Sequence, residues 1–308
     1  MNLDHLLIHL HHSIDAFSLK ARHVQQIRAA LPGVRITVAE GNNDFMEKLP
    51  EADGALVWSF KPDWYERAPG LKALFTPAAG HDWVAPDPSG RVKTRYGSFH
   101  GRIMRESLLS MMLFFNRRIG VSLHDQNSRT WGRQGYSDCV ALFSQRVLIV
   151  GCGSLGRSMA GLLKAFGAHV TGVRRKPSGV EDTPCDRMIG FDRLEEELPH
   201  ADHVVLVLPG GAETSGIFTQ RHFNAMKPGA CLYNLGRGNC YREEDLAAAL
   251  DNGHLAGAGL DVFAEEPLPP SSPLWERRNI LITPHSSAIS REYIDLFIEE
   301  WLDALPGM

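Results

Sequence analysis

The chain is poor in the features that mark several functional classes. Only five of its 308 residues are cysteine (Cys139, Cys152, Cys185, Cys231 and Cys240), an odd set with no CxxC pair. That argues against a disulfide framework or a zinc knuckle and reads as five reduced thiols. No apolar run approaches the roughly 18 residues that a membrane span needs. The opening MNLDHLLIHLHHSIDAF carries an acidic residue and histidines where a secretory signal has a basic flank, so the sequence reads as a cytoplasmic protein. Long runs of one charge are missing too: 32 basic against 36 acidic side chains leave a net −4, with no basic patch for nucleic acid or anionic lipid. A small-molecule partner is the reading that remains.

What is present is an ordinary soluble composition, 44% hydrophobic and 22% charged, at a length that suggests two compact units. The first hundred residues alternate apolar runs (HLLIHL, RITVA, GALVW, KALFT) with helical text, the order of a parallel βαβ sheet. Gly, Pro and Asp gather between Gly80 and Ser98, and RIMRESLLSMMLFFNRR then repeats apolar residues at helical spacing for about four turns. The domain crossing is placed there. A second series begins at Arg146 with RVLIV and runs through HVTGV, HVVLVL, CLYNL, AGAGLDVF and NILITP, six strands of a dinucleotide-binding sheet. SREYIDLFIEEWLDAL closes the chain as an amphipathic helix with no strand after it.

The sharpest local signal is RVLIVGCGSLGRSMAGLLKAFGAHV. Gly151, Gly153 and Gly156 follow a buried strand and open a helix, with Ser154 and Leu155 in its first turn. A tight turn, a close approach of backbone amides to a pyrophosphate and close helix–strand packing each need a residue without a side chain. The next strand ends HVTGVRRKP. An acidic residue there would hydrogen-bond the adenosine ribose of NAD; Arg174 and Arg175, with Lys176 behind them, suit the 2′-phosphate of NADP instead. The expected cofactor is NADP(H), with NAD(H) left open, as is the reading of these residues as a plain basic turn. Three later strands each deliver an unusual residue at the carboxyl edge: Arg237 after CLYNL, Glu266 after GLDVF and His285 after NILITP. A fixed cation, a carboxylate and an imidazole are the parts that reduction of a keto acid requires. His5, His9, His11 and His12 lack carboxylate or cysteine partners at ligand spacing, and no metal is expected.

On these motifs the chain resembles the D-isomer-specific 2-hydroxyacid dehydrogenases, closest to their glyoxylate and hydroxypyruvate reductase branch. GCGSLG is similar to the family's nucleotide loop, LPGGAETSGIF to its LPxTxxTxxxI stretch, NLGRGNCYREEDLAAAL to the segment around its arginine, and GLDVFAEEPLP with ITPH to its glutamate and histidine motifs. The resemblance implies two Rossmann-like domains: a discontinuous flavodoxin-like substrate domain, 1–99 completed by the helix at 288–308, and a doubly wound dinucleotide-binding domain, 100–287. It implies that Arg237 binds and polarises the substrate, that His285 is the acid/base and Glu266 its partner. Asp261 would hold the nicotinamide carboxamide, a turn cap being the other reading, and Leu208, Pro209, Thr214, Leu235 and Gly236 would line the dinucleotide. FTPAAGHDWV resembles the loop whose amides receive the substrate carboxylate, making Ala78, Ala79 and Gly80 substrate contacts. Trp58 and Phe60, in ALVWSFKPDW, would face the cleft from a strand end, or pack as core or surface aromatics. SLHDQNSRTWGRQGYSDC resembles the family's dimer arm, with Trp131 reaching a neighbouring active site in a homodimer, or merely exposed on a hairpin. Two departures stand out: no acidic residue after the second strand, and serines after the histidine in ITPHSSAIS where many members carry glycine. The implied activity is NADPH-dependent reduction of a small 2-keto acid to the D-2-hydroxy acid. A nucleotide-sensing, non-catalytic interaction protein on the same fold is the alternative, and a Rossmann methyltransferase a weaker one.

Overall fold

The computed structural model describes residues 3–176 and 183–305. They divide into two compact units, one made of residues 1–100 with 289–308 and one of residues 101–288. Every strand pairing in both is parallel.

The first unit has strands β1 (His5–His9), β2 (Arg35–Val38), β3 (Gly54–Val57), β4 (Ala73–Thr76) and β5 (Lys93–Tyr96), with helices α1 (Ala21–Ala30) and α2 (Asn42–Lys48). Their order, β2-β1-β3-β4-β5, is the flavodoxin-like arrangement. The strand β5 lies in the Gly, Pro and Asp-rich stretch read as connection, and it is an edge strand, KTRY, whose residues alternate between exposed and half-buried. Such a segment gives no apolar run to read. On the inner side, Leu7, Ala55, Val57 and Leu74 pack with Phe45 and Phe60. Phe60 is therefore a core residue, not a cleft residue: it is only 2% exposed and meets Phe45, Trp64 and Tyr65 edge-on or tilted.

The second unit begins with α3 (Gly101–Asn116) and α4 (Ile119–Asn127) and continues through β6 (Arg146–Val150), α5 (Ser154–Ala165), β7 (His169–Arg174) and β8 (Arg187–Gly190). The helices α6 (Leu194–Glu197), α7 (Gln220–Ala225) and α8 (Glu243–Asp251) alternate with β9 (His203–Leu206), β10 (Cys231–Asn234), β11 (Gly257–Leu260) and β12 (Ile280–Ile282). The sheet has seven strands, not six, in the order β12-β11-β10-β9-β6-β7-β8. RMIG, the strand missed in the sequence, is a short edge strand beside β7 with only two of its four residues buried. Chain order reverses between β6 and β9, the switch point at which ligands of open α/β sheets bind. The helix α9 (Tyr293–Ala304) returns to the first unit, where Asp295 accepts from Arg22 and from buried His23, and Trp301 packs on Phe75.

One buried group ties the stability of the second unit to pH. His203, at the start of β9, is 1% exposed, its ring bonded to the Tyr233 hydroxyl at 3.1 Å and to Gln145 at 2.8 Å. Burial pushes its pKa down from 6.5 to about 4. The folded chain keeps this ring neutral where the unfolded chain protonates it, so stability is complete above pH 6.5 and withdrawn as pH falls toward 4. The separation corresponds to roughly 3 kcal/mol over that window. The urea midpoint of the wild type is expected to drop between pH 6.5 and 4.5 more steeply than that of His203→Asn. Parallel slopes would show that His203 does not set the dependence.

Candidate active site

Because all strands of the second sheet are parallel, the residues that follow them share one edge. Gly151 leaves β6 in the left-handed region, φ 98°, and a Cβ there would lie 2.5 Å from the Val207 carbonyl oxygen. At Gly156 a Cβ would come within 2.9 Å of the Gly151 oxygen. Both glycines are demanded by backbone packing. Gly153 differs: a Cβ there would meet nothing nearer than 4.0 Å, so what stands over the first turn of α5 is open space bounded by Ser154 and Leu155. A pyrophosphate fits that cradle, with the amide-bearing helix end supplying partial positive charge. Cys152 sits between the glycines, fully buried, its Sγ 3.5 Å from that of Cys185.

Of the other cofactor candidates, Leu208 and Leu235 are buried at the ends of neighbouring strands. Gly236 is pressed so close to Leu208 that a Cβ would meet its backbone at 2.6 Å. Pro209 is exposed, and Thr214 folds its loop by donating to the Pro209 carbonyl at 2.7 Å. Arg174 ends β7, and Arg175 beside it forms an ion pair with Glu213.

The turns after β10, β11 and β12 are shaped by buried polar residues. Asn234, fully buried, accepts from the Gly236 amide at 3.1 Å and donates to the Arg237 carbonyl at 3.1 Å, which fixes the turn that presents Arg237. Gly238 lets that turn close on its neighbour: a Cβ there would lie 1.9 Å from the Phe263 carbonyl carbon. Phe263 in turn donates its amide to Glu266 Oε1 at 2.9 Å. The other carboxylate oxygen, Oε2, is 2.7 Å from His285 Nδ1. That contact occupies Nδ1 and leaves Nε2 as the second ring nitrogen of His285. Its side chain is 49% exposed and Glu266's 35%, so both can be reached from solvent. Arg237 is half-buried, its Nη1 donating to the Gly236 carbonyl at 3.0 Å and its stem packed against Gly210.

Asp261 occupies neither an exposed nor a loosely held position. It is fully buried, and its carboxylate accepts from Thr283 Oγ1 at 2.5 Å and from the amides of Ser286 at 2.8 Å and Ser287 at 3.0 Å. Its carbonyl accepts from the His285 amide at 2.8 Å. His285 has φ 49°, the left-handed region that a non-glycine residue enters only when its surroundings force it. The Asp261 carboxylate is what forces it here. The residues missed in the sequence are Asn234, Gly238 and Thr283; each lies inside a quoted motif, NLGRGN or ITPH, and a polar residue ending a buried strand was the available signal for the first.

In the first unit, Trp58 is half-buried at the end of β3, its indole N–H donating to the Phe17 carbonyl at 3.1 Å, beside His12, Tyr293 and Trp83. The Ala78 amide is already engaged by the Thr76 hydroxyl at 3.2 Å, whereas Ala79 is exposed and Gly80 half-buried. The amino-terminal histidines have separate partners: His5 bonds Thr37, His9 bonds Asn42, and His12 accepts from the Ile14 amide. Trp131, 88% exposed, stands not on a β-hairpin but in the irregular stretch after α4.

Two parallel α/β units, one of them closing a glycine loop on a helix end and setting a cation, a carboxylate and an imidazole on three adjacent strand ends, describe a nucleotide-dependent oxidoreductase. The NAD binding domain of the D-isomer-specific 2-hydroxyacid dehydrogenases matches residues 109–287. A crystal structure of a family protein from Aeromonas salmonicida subsp. salmonicida A449 is 33% identical, with 99% of this chain and 96% of that one covered and a TM-score of 0.80. The enzyme of Xanthobacter autotrophicus Py2, in complex with NADPH and MES, is 28% identical over 99% and 96% of the two chains, TM-score 0.80. An NADPH-dependent glyoxylate/hydroxypyruvate reductase of Sinorhizobium meliloti, in complex with NADP and sulfate, is 27% identical over 99% and 95%, TM-score 0.78. The chain belongs to the D-isomer-specific 2-hydroxyacid dehydrogenase family, whose members are NAD(P)-dependent oxidoreductases of 2-hydroxy and 2-keto acids. Among the described residues no helix is long and apolar enough to cross a membrane.

Asp261→Asn tests what holds the histidine loop. The amide would set an N–H donor against an N–H or O–H donor in a buried place, at a cost on the order of 2 to 3 kcal/mol. The urea midpoint at pH 7.5 should fall accordingly, and kcat should fall with it while the far-ultraviolet circular dichroism is kept. An unchanged midpoint would mean that the loop is held by other contacts.

Proposed function

We propose that the chain reduces a small 2-keto acid of the glyoxylate or hydroxypyruvate kind to the D-2-hydroxy acid, with NADPH preferred over NADH. The observation that carries this reading is the 2.7 Å contact between His285 Nδ1 and Glu266, at a strand end next to that of Arg237. Arg237 holds the substrate carboxylate and stabilises the charge that develops on the keto oxygen. When bound, the reduced nicotinamide supplies the hydride. Protonated His285 gives the proton on Nε2 to the same oxygen, and Glu266 keeps the imidazole oriented. Asp261 has a positioning role in this scheme, through the loop it organises.

The second unit would take the dinucleotide: Gly151, Gly153, Ser154, Leu155 and Gly156 around the pyrophosphate, Leu208, Pro209, Thr214, Leu235 and Gly236 along its length. Arg174 and Arg175 would read the 2′-phosphate. NADPH or NADP in the Xanthobacter and Sinorhizobium relatives supports this assignment. The first unit would take the substrate, through the amides of Ala79 and Gly80 with Trp58 as a wall; Ala78 serves by shaping the loop. Exposed Ile119, Leu123, Trp131, Val140 and Phe143 lie within one stretch of sequence and favour a homodimer built on it.

The testing assay follows NADPH and NADH oxidation with glyoxylate, hydroxypyruvate, pyruvate and phenylpyruvate, and the configuration of each product. NADPH should exceed NADH in kcat/KM by roughly ten- to a hundredfold, the worth of one charge-assisted phosphate contact. Arg174→Asp should narrow or reverse that ratio. Equal values for the two coenzymes in the wild type would remove the cofactor preference.

The proton relay makes a separate demand. Glu266→Gln, which keeps shape and loses charge, should lower kcat while leaving NADPH affinity nearly unchanged. His285→Ala should lose at least a hundredfold in kcat, the scale of general acid catalysis. An unchanged kcat in Glu266→Gln would separate the pair, and near-normal turnover in His285→Ala would take histidine out of the reaction.

A further inference from the structure

We infer that Glu213 competes with the 2′-phosphate of the dinucleotide for Arg175, and so acts as a specificity-determining residue for the cofactor. The inference rests on the NADP(H) reading above. Strand β6 is flanked by β7 on one side and β9 on the other. The glycine loop that leaves β6 therefore lies between the chain segments that leave β7 and β9. Arg175 belongs to the first of those segments and Glu213 to the second, and their ion pair spans the gap between them. Strands two places apart stand nearly 10 Å from each other, and here a long side chain after one meets a long side chain on the loop after the other. The pair is thus a strap across the edge on which a dinucleotide lies.

The loop that carries Glu213 is built to reach. Gly211 has φ 131°, open space where a Cβ would be, and Thr214 ties the far side of the loop back to the Pro209 and Gly211 carbonyls. Both members of the pair are largely exposed, 77% and 79%, so the bond between them is weak and readily exchanged. A dianionic phosphate offers the guanidinium more acceptor oxygens and more charge than one carboxylate does. NADPH therefore replaces what it breaks, with Arg175 moving from Glu213 to phosphate. NADH has no such group to offer. Glu213 lowers NADPH affinity by the strength of the pair, and at the same time keeps Arg175 extended over the adenosine end.

Equilibrium titration of NADPH and NADH, followed by nucleotide fluorescence at fixed ionic strength, tests this in wild type, Glu213→Gln, Arg175→Gln and the double variant. Glu213→Gln should tighten NADPH about three- to fivefold, the reach of an exposed ion pair, and shift NADH less than twofold. In the Arg175→Gln background the same substitution should change NADPH binding by less than about 1.5-fold, because the competition has lost its object. Equal tightening of both coenzymes, or a gain that persists without Arg175, would mean that Glu213 repels the nucleotide directly, and the inference would be wrong. No gain in Glu213→Gln, with Arg175→Gln still weakening NADPH, would overturn the competition and leave the phosphate reading intact. If Arg175→Gln left NADPH binding unchanged, the premise and the inference would fall together.

Discussion

The chemistry of the second unit hangs on one line of hydrogen bonds that continues the sheet past the ends of its strands. Asn234 closes β10 and its carbonyl accepts from the Asp261 amide at 3.0 Å; the Asp261 carbonyl then accepts from the His285 amide at 2.8 Å. Three turns that would otherwise move independently are locked in register. The side chains of the same buried residues do the rest. Asn234 folds the Arg237 turn, and the Asp261 carboxylate gathers Thr283, Ser286 and Ser287 into the tight bend on which His285 stands at φ 49°. A buried polar group is costly unless its hydrogen bonds are filled, and here filling them is what shapes the site. The serines that depart from the family's usual glycines contribute through their backbone amides.

The order of the strands divides the labour along that edge. Chain reversal between β6 and β9 leaves an opening over the first turn of α5, where Gly153 has empty space above it. On the far side, β10 to β12 carry the cation, carboxylate and imidazole on adjacent ends. The glycines at 151, 156, 236 and 238 are needed because neighbouring turns approach to distances that no Cβ tolerates. The glycine loop and the cation, carboxylate and imidazole thus come from separate strands of one sheet, held at fixed spacing by strand pairing.

Much of this was legible because buried parallel strands write themselves as continuous apolar runs and the residues after them stand out as polar. RVLIV, HVVLVL and CLYNL could be read directly, and so could Arg237, Glu266 and His285. Edge strands were not legible: KTRY and RMIG have too few buried positions to break the pattern of a loop. Phe60 follows the same logic in reverse. An aromatic three residues beyond a strand admitted both a cleft and a core reading, and the chain turns it inward onto Phe45 and Tyr65. The Ala78 amide, read as a substrate contact, is bonded here to the hydroxyl of Thr76, two residues earlier. Such local competition for a donor depends on backbone path, and spacing alone does not reveal it.

The same distinction explains how an edge designed for anions stays stable without one. A phosphate and a keto acid would both call for positive charge, which Arg174 and Arg175 carry at the end of β7 and Arg237 after β10, three strands away on the same edge. Like charges gathered on a surface repel, and the repulsion is strongest before the ligand arrives. Carboxylates among them reduce that repulsion, but each also competes with the ligand. The two carboxylates differ in how they are held. Glu266 is anchored by the Phe263 amide and held beside His285. Glu213 sits on a glycine-containing loop and bonds an exposed guanidinium, an attachment weak enough to yield. One carboxylate is fixed by a backbone amide as well as by its partner, the other by an exposed ion pair that solvent screens.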